Sequence, residues 1–378
     1  MTKILSCIGD FGDMETEGLM KISKKIKNSL AVQMGNHVRV VVNQKPADFY
    51  HIHSSGFLPA VWQMRKGKQT LYSLYSHINQ GPLDCIRNNI EHLWWYRNQN
   101  HPLPRALKMI LFATASTFIP VRIKRFFLNR MHQIVVPSEA MKHELGLTSA
   151  TVVRIGINPQ RFKPSPLNKT KIKETNIEKT EETKIKKTKD KTKDAPLVIS
   201  YFGHNDPLKG LSDVIKAFAE LDKRFGPRIS LRMYLTKYSE HTANHAHCFS
   251  PRIIVSGHVE DIVNVYNESD IIVLPYRSRG AAIGVPLVLV EAMACEKPIV
   301  TTNLPFIKEI VQDAALIVDP YAPQQLVENI VLLMNNQKLR TELGKKARRR
   351  VLEAYTEKQM FEGYQTLYQT WLSSEGEL

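Results

Sequence analysis

The sequence predicts an α/β protein with two doubly wound, Rossmann-like domains that face each other across a cleft. Short apolar strands alternate with helical stretches, a pattern that favours parallel sheets covered by helices. The pattern occurs twice, before and after a polar tract at residues 168–194. The chain has 378 residues, more than one hydrophobic core usually serves, so two domains are expected.

The first domain is expected at residues 1–165 and the second at 196–355, joined by a lysine-rich linker or insertion at 166–195. Ser138 should cap the N-terminus of a helix at 139–145. Strands are predicted at 3–8, 37–43, 49–54, 70–75, 133–137, 152–155, 197–202, 229–235, 252–255, 271–274 and 299–302. Other helices are predicted at 19–30, 212–221 and 260–268. A ligand crevice is expected between the domains, at the carboxyl ends of the strands.

The chain is basic, with a net charge of +16. Residues 168–194 hold ten lysines and six acidic residues, with three isoleucines as their only large apolar side chains. This composition indicates a solvated linker, or a helix that is marginal by itself. A nucleic-acid arm is less favoured because acids interrupt the positive charge and no aromatic residues lie between the lysines, so no nucleic-acid partner is expected.

The four cysteines are scattered, without the spacing of a zinc site or a disulfide framework, which favours a reducing compartment. The N-terminal apolar run is too short for a signal peptide, and no stretch reaches the roughly 18 apolar residues of a membrane span. We therefore expect a cytoplasmic protein.

The most informative segment is 270–302, in which an apolar strand runs through a glycine-containing loop into an apolar helix. Free N–H groups and the dipole at a helix start favour a bound phosphate, and Pro286 suits the first helical position. Glu291 lies five residues further on, about 7.5 Å along the helix axis, where a carboxylate could take the ribose hydroxyls of a nucleotide. The alternative is a solvated glutamate, but the apolar neighbours of Glu291 suggest a buried carboxylate that needs a partner.

The run EAMACEKPIV at 291–300 resembles the nucleotide-sugar site of family 4 glycosyltransferases, retaining enzymes of the glycosyltransferase B (GT-B) fold. Their signature is E-x7-E and a helix end with glycine, whereas this chain has Ile283 at the first acid and Glu296 at the glycine. PSEAMKHEL at 137–145 and VVRIGINPQRFKP at 152–164 resemble further family motifs. The last residues, 356–378, resemble a C-terminal helix that crosses back to the first domain.

The resemblance implies roles for individual residues. Lys209 would neutralise the donor diphosphate, and His77 would contact the transferred sugar near the reacting carbon. His204 stands where the family usually has an arginine, so Arg277 or Arg279 could supply that charge, unless they are solvated loop residues. The implied catalytic residues are His77, Lys209 and Glu291. The implied donor-binding residues are Gly9, Gly12, His204, Lys209, Gly257, Val259, Ile283, Gly284, Val285, Leu287 and Glu291.

Two histidines on one predicted strand, His51 and His53, face the same side. Either one of them lines the cleft or both are structural.

By resemblance, the reaction is a retaining transfer from a UDP- or GDP-sugar to a glycan or lipid-linked acceptor, with no metal or other cofactor. The leaving diphosphate would help to deprotonate the acceptor. Because Ile283 removes an anion from the sugar pocket, the enzyme would prefer another sugar, hold it through the backbone of Gly284 and Val285, or be slow. The alternative is a weak or inactive homologue that binds nucleotide sugar or a partner.

Residues 103–132 combine aliphatic and aromatic side chains with flanking arginines and lysines. This composition suits a helix lying on an anionic membrane surface, on the inner face of the cytoplasmic membrane. It equally suits a core helix with basic ends.

Overall fold

The computed structural model describes residues 3–8, 25–28, 38–42, 47, 49–54, 69–74, 119–131, 133–165, 195–236, 238, 240–279 and 284–373. They form two six-stranded sheets in which every strand pair is parallel. The predicted architecture of two doubly wound sheets is confirmed. The predicted domain boundaries stay predictions, and most of the lysine-rich tract lies outside the described residues.

The first sheet has the strand order β2-β1-β3-β4-β5-β6. Its strands are β1 (Lys3–Ile8), β2 (Val38–Val42), β3 (Phe49–Ser54), β4 (Gln69–Leu74), β5 (Gln133–Val136) and β6 (Thr151–Val152). β6 is shorter than the predicted 152–155, although the Val153 N–H still donates to the carbonyl of Val136. The strand order reverses between β1 and β3, which marks the switch point of this sheet.

The second sheet has the order β12-β11-β10-β7-β8-β9. Its strands are β7 (Leu197–Gly203), β8 (Ile229–Leu235), β9 (Ile253–Ser256), β10 (Ile271–Leu274), β11 (Ile299–Thr302) and β12 (Leu316–Val318). β10 is buried at every position, as its continuous apolar sequence predicts. The switch point lies between β7 and β10, so the loops that follow these two strands meet there.

Helices cover both sheets. They are α1 (Val121–Leu128), α2 (Glu139–Leu145), α3 (Leu211–Phe225), α4 (Glu240–His247), α5 (Ile262–Glu268), α6 (Leu287–Ala294), α7 (Pro305–Val311), α8 (Pro323–Asn335), α9 (Gln337–Ala354) and α10 (Glu357–Ser373). Residues 25–28, inside the predicted helix 19–30, are also helical. Ser138 caps α2 as predicted, since its side chain accepts a hydrogen bond from the Met141 N–H. Within the described part of the chain, no helix has the length and apolarity needed to cross a bilayer.

Two of the helix ends that differ from the prediction have a local backbone cause. α3 continues past residue 221 to Phe225 and stops where Gly226 takes a positive φ of 53°. Pro286 is not the first residue of α6 but its N-cap, and its carbonyl accepts from the N–H groups of Leu289 and Val290.

The C-terminal helix α10 packs against the first sheet, as the resemblance implied. Tyr364 and Tyr368 on α10 form hydrogen bonds with Ser73 on β4 and His51 on β3. A bridge between Ile157 and Thr356 leads the chain into this helix.

The two halves also meet through α2 and α7. The Glu309 carboxylate accepts from the backbone N–H groups of Glu139, at 3.1 Å, and Ala140, at 2.8 Å. Arg279 forms an ion pair with Glu144 on the same side. These contacts border a cavity of about 390 Å³ lined by Glu139, Ala140, His143, Glu144, Arg279 and Pro305.

Candidate functional site

The predicted donor residues that are described follow the carboxyl ends of three parallel strands of the second sheet. His204 and Lys209 follow β7, Gly257 and Val259 follow β9, and the loop after β10 leads to Gly284, Val285, Leu287 and Glu291. Because the strands are parallel, these loops share one edge of the sheet. Gly9, Gly12, His77 and Ile283 lie outside the described residues.

The loop after β7 is held tightly against the end of β10. Asp206 caps a short 3-10 turn, Pro207–Lys209, by accepting from the Leu208 N–H at 2.8 Å. Gly210 ends the turn with a φ of 75°, and a Cβ added there would lie 2.0 Å from the carbonyl oxygen of Pro275. Only glycine fits both the backbone conformation and the close approach. The loop therefore fixes Lys209 beside the strand that leads to α6.

Lys209 lies half-buried in this loop, with its Nζ atom 5.4 Å from the centre of the Tyr276 ring. Burial lowers the pKa of the Lys209 ammonium, and the negative charge of Asp206 opposes that shift. A cation in partly desolvated surroundings interacts more strongly with an anion than a fully solvated one does. The position therefore suits a diphosphate contact.

Glu291 has a hydrogen-bond partner, as the sequence predicted for a carboxylate among apolar neighbours. The hydroxyl of Tyr266 on α5 donates to Oε2 of Glu291 at 2.9 Å. Tyr266 is fully buried and Glu291 is half-buried, so the carboxylate has one side toward the protein interior. Burial raises the pKa of Tyr266, and the Glu291 charge raises it further, which keeps the hydroxyl protonated as a donor.

Tyr276 connects the two charged residues of the site. Its ring lies near the Lys209 ammonium, and both burial and the Glu291 charge raise the pKa of its hydroxyl. The structure thus brings Lys209 and Glu291, which are 82 positions apart in the sequence, near one buried tyrosine.

The start of α6 is shaped by Gly284, which has a φ of 60°, and by the buried Val285. Backbone N–H groups in the first turn of a helix have no partner inside the helix and favour an anion. The carbonyl of His204 accepts from the Tyr201 hydroxyl at 3.2 Å, which fixes the backbone just after β7. A Cβ on Gly257 would lie 3.2 Å from Cβ of Tyr238, a closer approach than most side chains tolerate.

Arg277 is not a solvated loop residue, because its guanidinium is paired inside the protein. Its guanidinium forms a two-point ion pair with Asp213, at 2.7 and 2.8 Å, and only 9% of its side chain is exposed. It also donates to Ser212 Oγ and lies over the Tyr321 ring. Arg277 therefore anchors the start of α3, and Arg279 is paired with Glu144.

Glu296 shows why the resembling motif has glycine at this position. Its φ is 58°, in the left-handed region that glycine adopts without strain. Its carbonyl also lies against Gly344 of α9, where an added Cβ would approach the oxygen to 2.1 Å.

Sequence reasoning missed Tyr266, Tyr276 and Asp206. The position of Tyr266 on the short helix before β10 was the only hint available in the sequence. Nothing in the linear pattern connects Tyr266 to Glu291.

His51 and His53 are both buried inside the first half of the chain, which settles the two alternatives in favour of structural roles. Ser73 Oγ is hydrogen-bonded to His51 Nε2 at 2.8 Å, and the Tyr368 hydroxyl is hydrogen-bonded to Nδ1. Burial lowers the pKa of His51, and it lowers that of His53 to about 3, so both rings are neutral. His51 joins α10 to the sheet through Tyr368.

The fold also brings together three residues that linear spacing had separated. The ligand atoms of Cys7, His51 and His53 lie within 4.8 Å of one another. Both ring nitrogens of His51 already have protein partners, and burial raises the pKa of Cys7 to about 12, which disfavours the thiolate that metals bind. This donor set suits a hydrogen-bonded core better than a cation site. Cys7, Cys248 and Cys295 are free thiols.

The chain is similar in sequence and in fold to known glycosyltransferases. The family described as "Glycosyl transferases group 1" matches residues 181–350. The capsular polysaccharide biosynthesis glycosyltransferase CapM of Staphylococcus aureus is 26% identical over 258 residues, which cover 64% of this chain and 63% of CapM. The alignment thus spans less than two thirds of that relative.

Two solved structures share the fold over nearly their whole length. Sucrose-phosphate synthase from Thermosynechococcus elongatus superposes with a TM-score of 0.65 at 14% identity, covering 98% of this chain and 100% of that one. Anabaena Alr3699/HepE, determined in complex with UDP and glucose, has a TM-score of 0.62 at 15% identity, covering 99% and 100%. At these identities the likeness shows the fold alone.

Proposed function

We propose that the chain is a glycosyltransferase of the GT-B fold, with a group 1 domain in its second half, that transfers a sugar from a nucleoside-diphosphate donor with retention of configuration. The observation that carries this proposal is the Lys209–Tyr276–Glu291 arrangement beside the start of α6. It offers a cation, a helix start and an anchored carboxylate at one edge of the sheet.

The spacing of these groups fits a nucleoside diphosphate. Phosphates at the start of α6 would place a ribose about 7.5 Å along the axis, beside Glu291. Lys209 would neutralise the charge that grows on the leaving diphosphate, and that diphosphate would take the acceptor proton on the same face. The proposed mechanism, in which Lys209 and the leaving diphosphate have these roles, needs no metal ion. A UDP- or GDP-sugar is the proposed donor; HepE, which shares the fold, was determined in complex with UDP and glucose.

The test is a thermal-shift series with UDP, GDP, ADP and their sugars. A ligand at 100 times its dissociation constant adds about 2.7 kcal/mol to the free energy of unfolding, a readily measured shift. Glu291→Ala should lose most of the shift, whereas Glu328→Ala on α8 serves as a matched control. A full shift in Glu291→Ala would contradict the ribose assignment.

The second candidate is a weak or inactive homologue that binds nucleotide sugar. It is favoured by His204 at the usual arginine position, together with the commitment of Arg277 to Asp213. Donor hydrolysis and transfer assays separate the two candidates. A folded protein that binds UDP or GDP but turns over none of their sugars supports the second.

We further propose that α1 docks on an anionic membrane surface, which would bring the enzyme to a lipid-linked or glycan acceptor. Ile123, Phe126 and Phe127 on α1 are 47%, 52% and 37% exposed, which supports a surface contact through this part of residues 103–132. Residues 103–118 and 132 lie outside the described residues.

The charge around these apolar side chains matches an anionic surface. Arg122 and Arg130 are exposed on the same helix or just after it, and Arg130 lies 3.5 Å over the Phe126 ring. Basic residues near apolar ones bind anionic lipid, which is abundant in the cytoplasmic leaflet. The proposed location is therefore the inner face of the cytoplasmic membrane.

Co-sedimentation with phosphatidylglycerol vesicles tests this proposal. Binding at low salt should weaken in the Ile123→Ser/Phe126→Ser variant and at high salt, and it should be weaker on neutral vesicles. Leu332→Ser, which changes an exposed leucine on α8, is the control. Absence of binding at low salt would refute the proposal.

A further inference from the structure

We infer that Tyr266 is a positioning residue that sets the orientation of the Glu291 carboxylate and thereby the preference of the site for ribose over 2′-deoxyribose. The inference rests on the proposed donor site. It assigns a specificity role to a residue on α5 that does not itself belong to the strand–loop–helix segment.

The geometry starts from the hydrogen bond between Tyr266 and Glu291. Tyr266 donates to Oε2 of Glu291 at 2.9 Å from the interior side. A carboxylate has two oxygens with about four acceptor positions in one plane, so one fixed bond restricts where the remaining positions point. Two adjacent ribose hydroxyls need acceptors in a defined direction, which a freely rotating glutamate would not provide.

The Tyr266 ring is itself held in place. Its centre lies 4.6 Å from that of Phe202, and Phe202 stacks on Tyr234 at 4.9 Å. The Tyr266 ring centre also lies 6.4 Å from that of Phe162, in the segment that joins the two sheets. Tyrosine and phenylalanine rings packed in this way have few alternative rotamers. The hydroxyl therefore occupies a fixed point, and so does the carboxylate oxygen it binds.

The protonation state of the Tyr266 hydroxyl also makes it the donor in the hydrogen bond to Glu291. Burial raises the pKa of Tyr266, and the neighbouring Glu291 charge raises it further. The hydroxyl therefore remains a donor across the neutral range. A hydrogen bond to a charged acceptor in low-dielectric surroundings is among the stronger ones that a tyrosine makes.

The experiment compares ribose and deoxyribose ligands. Dissociation constants for UDP, 2′-deoxy-UDP, GDP and 2′-deoxy-GDP are measured calorimetrically on the full chain, for the wild type, Tyr266→Phe and Tyr364→Phe. Tyr364→Phe is the matched control, because it removes a buried tyrosine hydroxyl bonded to Ser73 in the other half of the chain.

The wild type should prefer the ribonucleotide about tenfold or more, the size of one charged hydrogen bond. Tyr266→Phe should reduce that preference to about threefold or less, whereas Tyr364→Phe should retain it. A wild type that prefers ribose and a Tyr266→Phe variant with the same preference would overturn the positioning role but leave the proposed function intact. A wild type that binds none of the four nucleotides would instead overturn the proposed function.

If Tyr266→Phe does not fold, Phe202→Leu replaces it. That variant keeps the hydroxyl and the carboxylate but removes the ring that packs on Tyr266 at 4.6 Å. It should weaken the ribose preference in the same direction, and an unchanged preference would count against the inference.

Discussion

Two polar clusters built around tyrosine hydroxyls, one in each half of the chain, differ in their access to solvent. The closed cluster lies between the first sheet and α10, and all its members are buried: His51, Ser73, Tyr364 and Tyr368. The open cluster lies at the strand ends of the second sheet. Its tyrosines are buried but its charged groups are half-buried: Tyr266, Tyr276, Lys209 and Glu291.

The difference shows how similar chemistry can serve stability in one place and binding in another. In the closed cluster the hydrogen bonds join neutral groups to one another, so it holds α10 in register with the sheet. The open cluster keeps charges of both signs partly desolvated at the edge of the sheet. Partly desolvated charges destabilise the folded state when no ligand neutralises them. Their presence at the edge of the sheet therefore indicates a binding site.

The largest expected effect is on the open cluster. Lys209→Ala should lower kcat for transfer or donor hydrolysis by about 10²–10³-fold, as removal of a charge-stabilising group usually does. The melting temperature should change little, because Asp206, whose charge lies near Lys209, keeps its own hydrogen bond to the Leu208 N–H when Lys209 is replaced. Lys216→Ala, on the exposed face of α3, is the control, and equal activity of both variants would contradict the assigned role.

The next effect concerns the closed cluster and pH. His51 and His53 stay neutral when folded, since burial lowers both pKa values, whereas the unfolded chain takes up protons below about pH 6.5. The free energy of unfolding should therefore fall as the pH drops from 7 to 5, by about 2 kcal/mol for each histidine at pH 5.

Urea denaturation at pH 7, 6 and 5 measures this loss. His53→Asn should show a shallower pH dependence than the wild type by about one proton. Parallel curves for the two proteins would show that His53 does not stay neutral in the folded state.

A smaller effect compares one hydroxyl from each cluster. Tyr368→Phe leaves a buried His51 nitrogen without its partner and should destabilise the fold by about 1–3 kcal/mol. Nucleotide affinity should not change, in contrast to Tyr266→Phe. Urea denaturation and calorimetry on the same samples check both statements, and a large loss of nucleotide affinity in Tyr368→Phe would remove the distinction between the clusters.

The two clusters also show what could be predicted from the sequence. Most strands were predicted to within one or two residues, because a buried parallel strand is a short continuous apolar run between turn residues. Glu291 was identified because a single carboxylate in an apolar helix needs an explanation, and the need for a partner followed from the same argument. These inferences depend on local sequence alone.

Partners from distant parts of the chain could not be predicted. Tyr266 precedes Glu291 by 25 positions, and Asp213 precedes Arg277 by 64, so only the packing of α5 and α3 brings each pair together. Cys7 and His51 are opposite each other in the β1–β3 register, which linear spacing does not reveal. The cysteine pattern therefore gave no sign of the buried Cys–His group.

The smallest expected effect tests the backbone at the end of α6. Glu296 has a φ of 58°, which costs a non-glycine residue about 1–2 kcal/mol. Glycine removes that strain but adds flexibility to the unfolded chain, worth about 0.4–1 kcal/mol in the opposite direction. The ion pair that Glu296 forms with Arg348, at 3.8 Å, is long and partly exposed, so its loss contributes little. Glu296→Gly should therefore stabilise the fold by up to about 1 kcal/mol, measured by urea denaturation.

Glu342→Gly on α9 is the control and should destabilise by about 1 kcal/mol, because glycine is unfavourable inside a helix. Destabilisation in both variants would mean that the Glu296 side chain contributes more than the backbone strain removes.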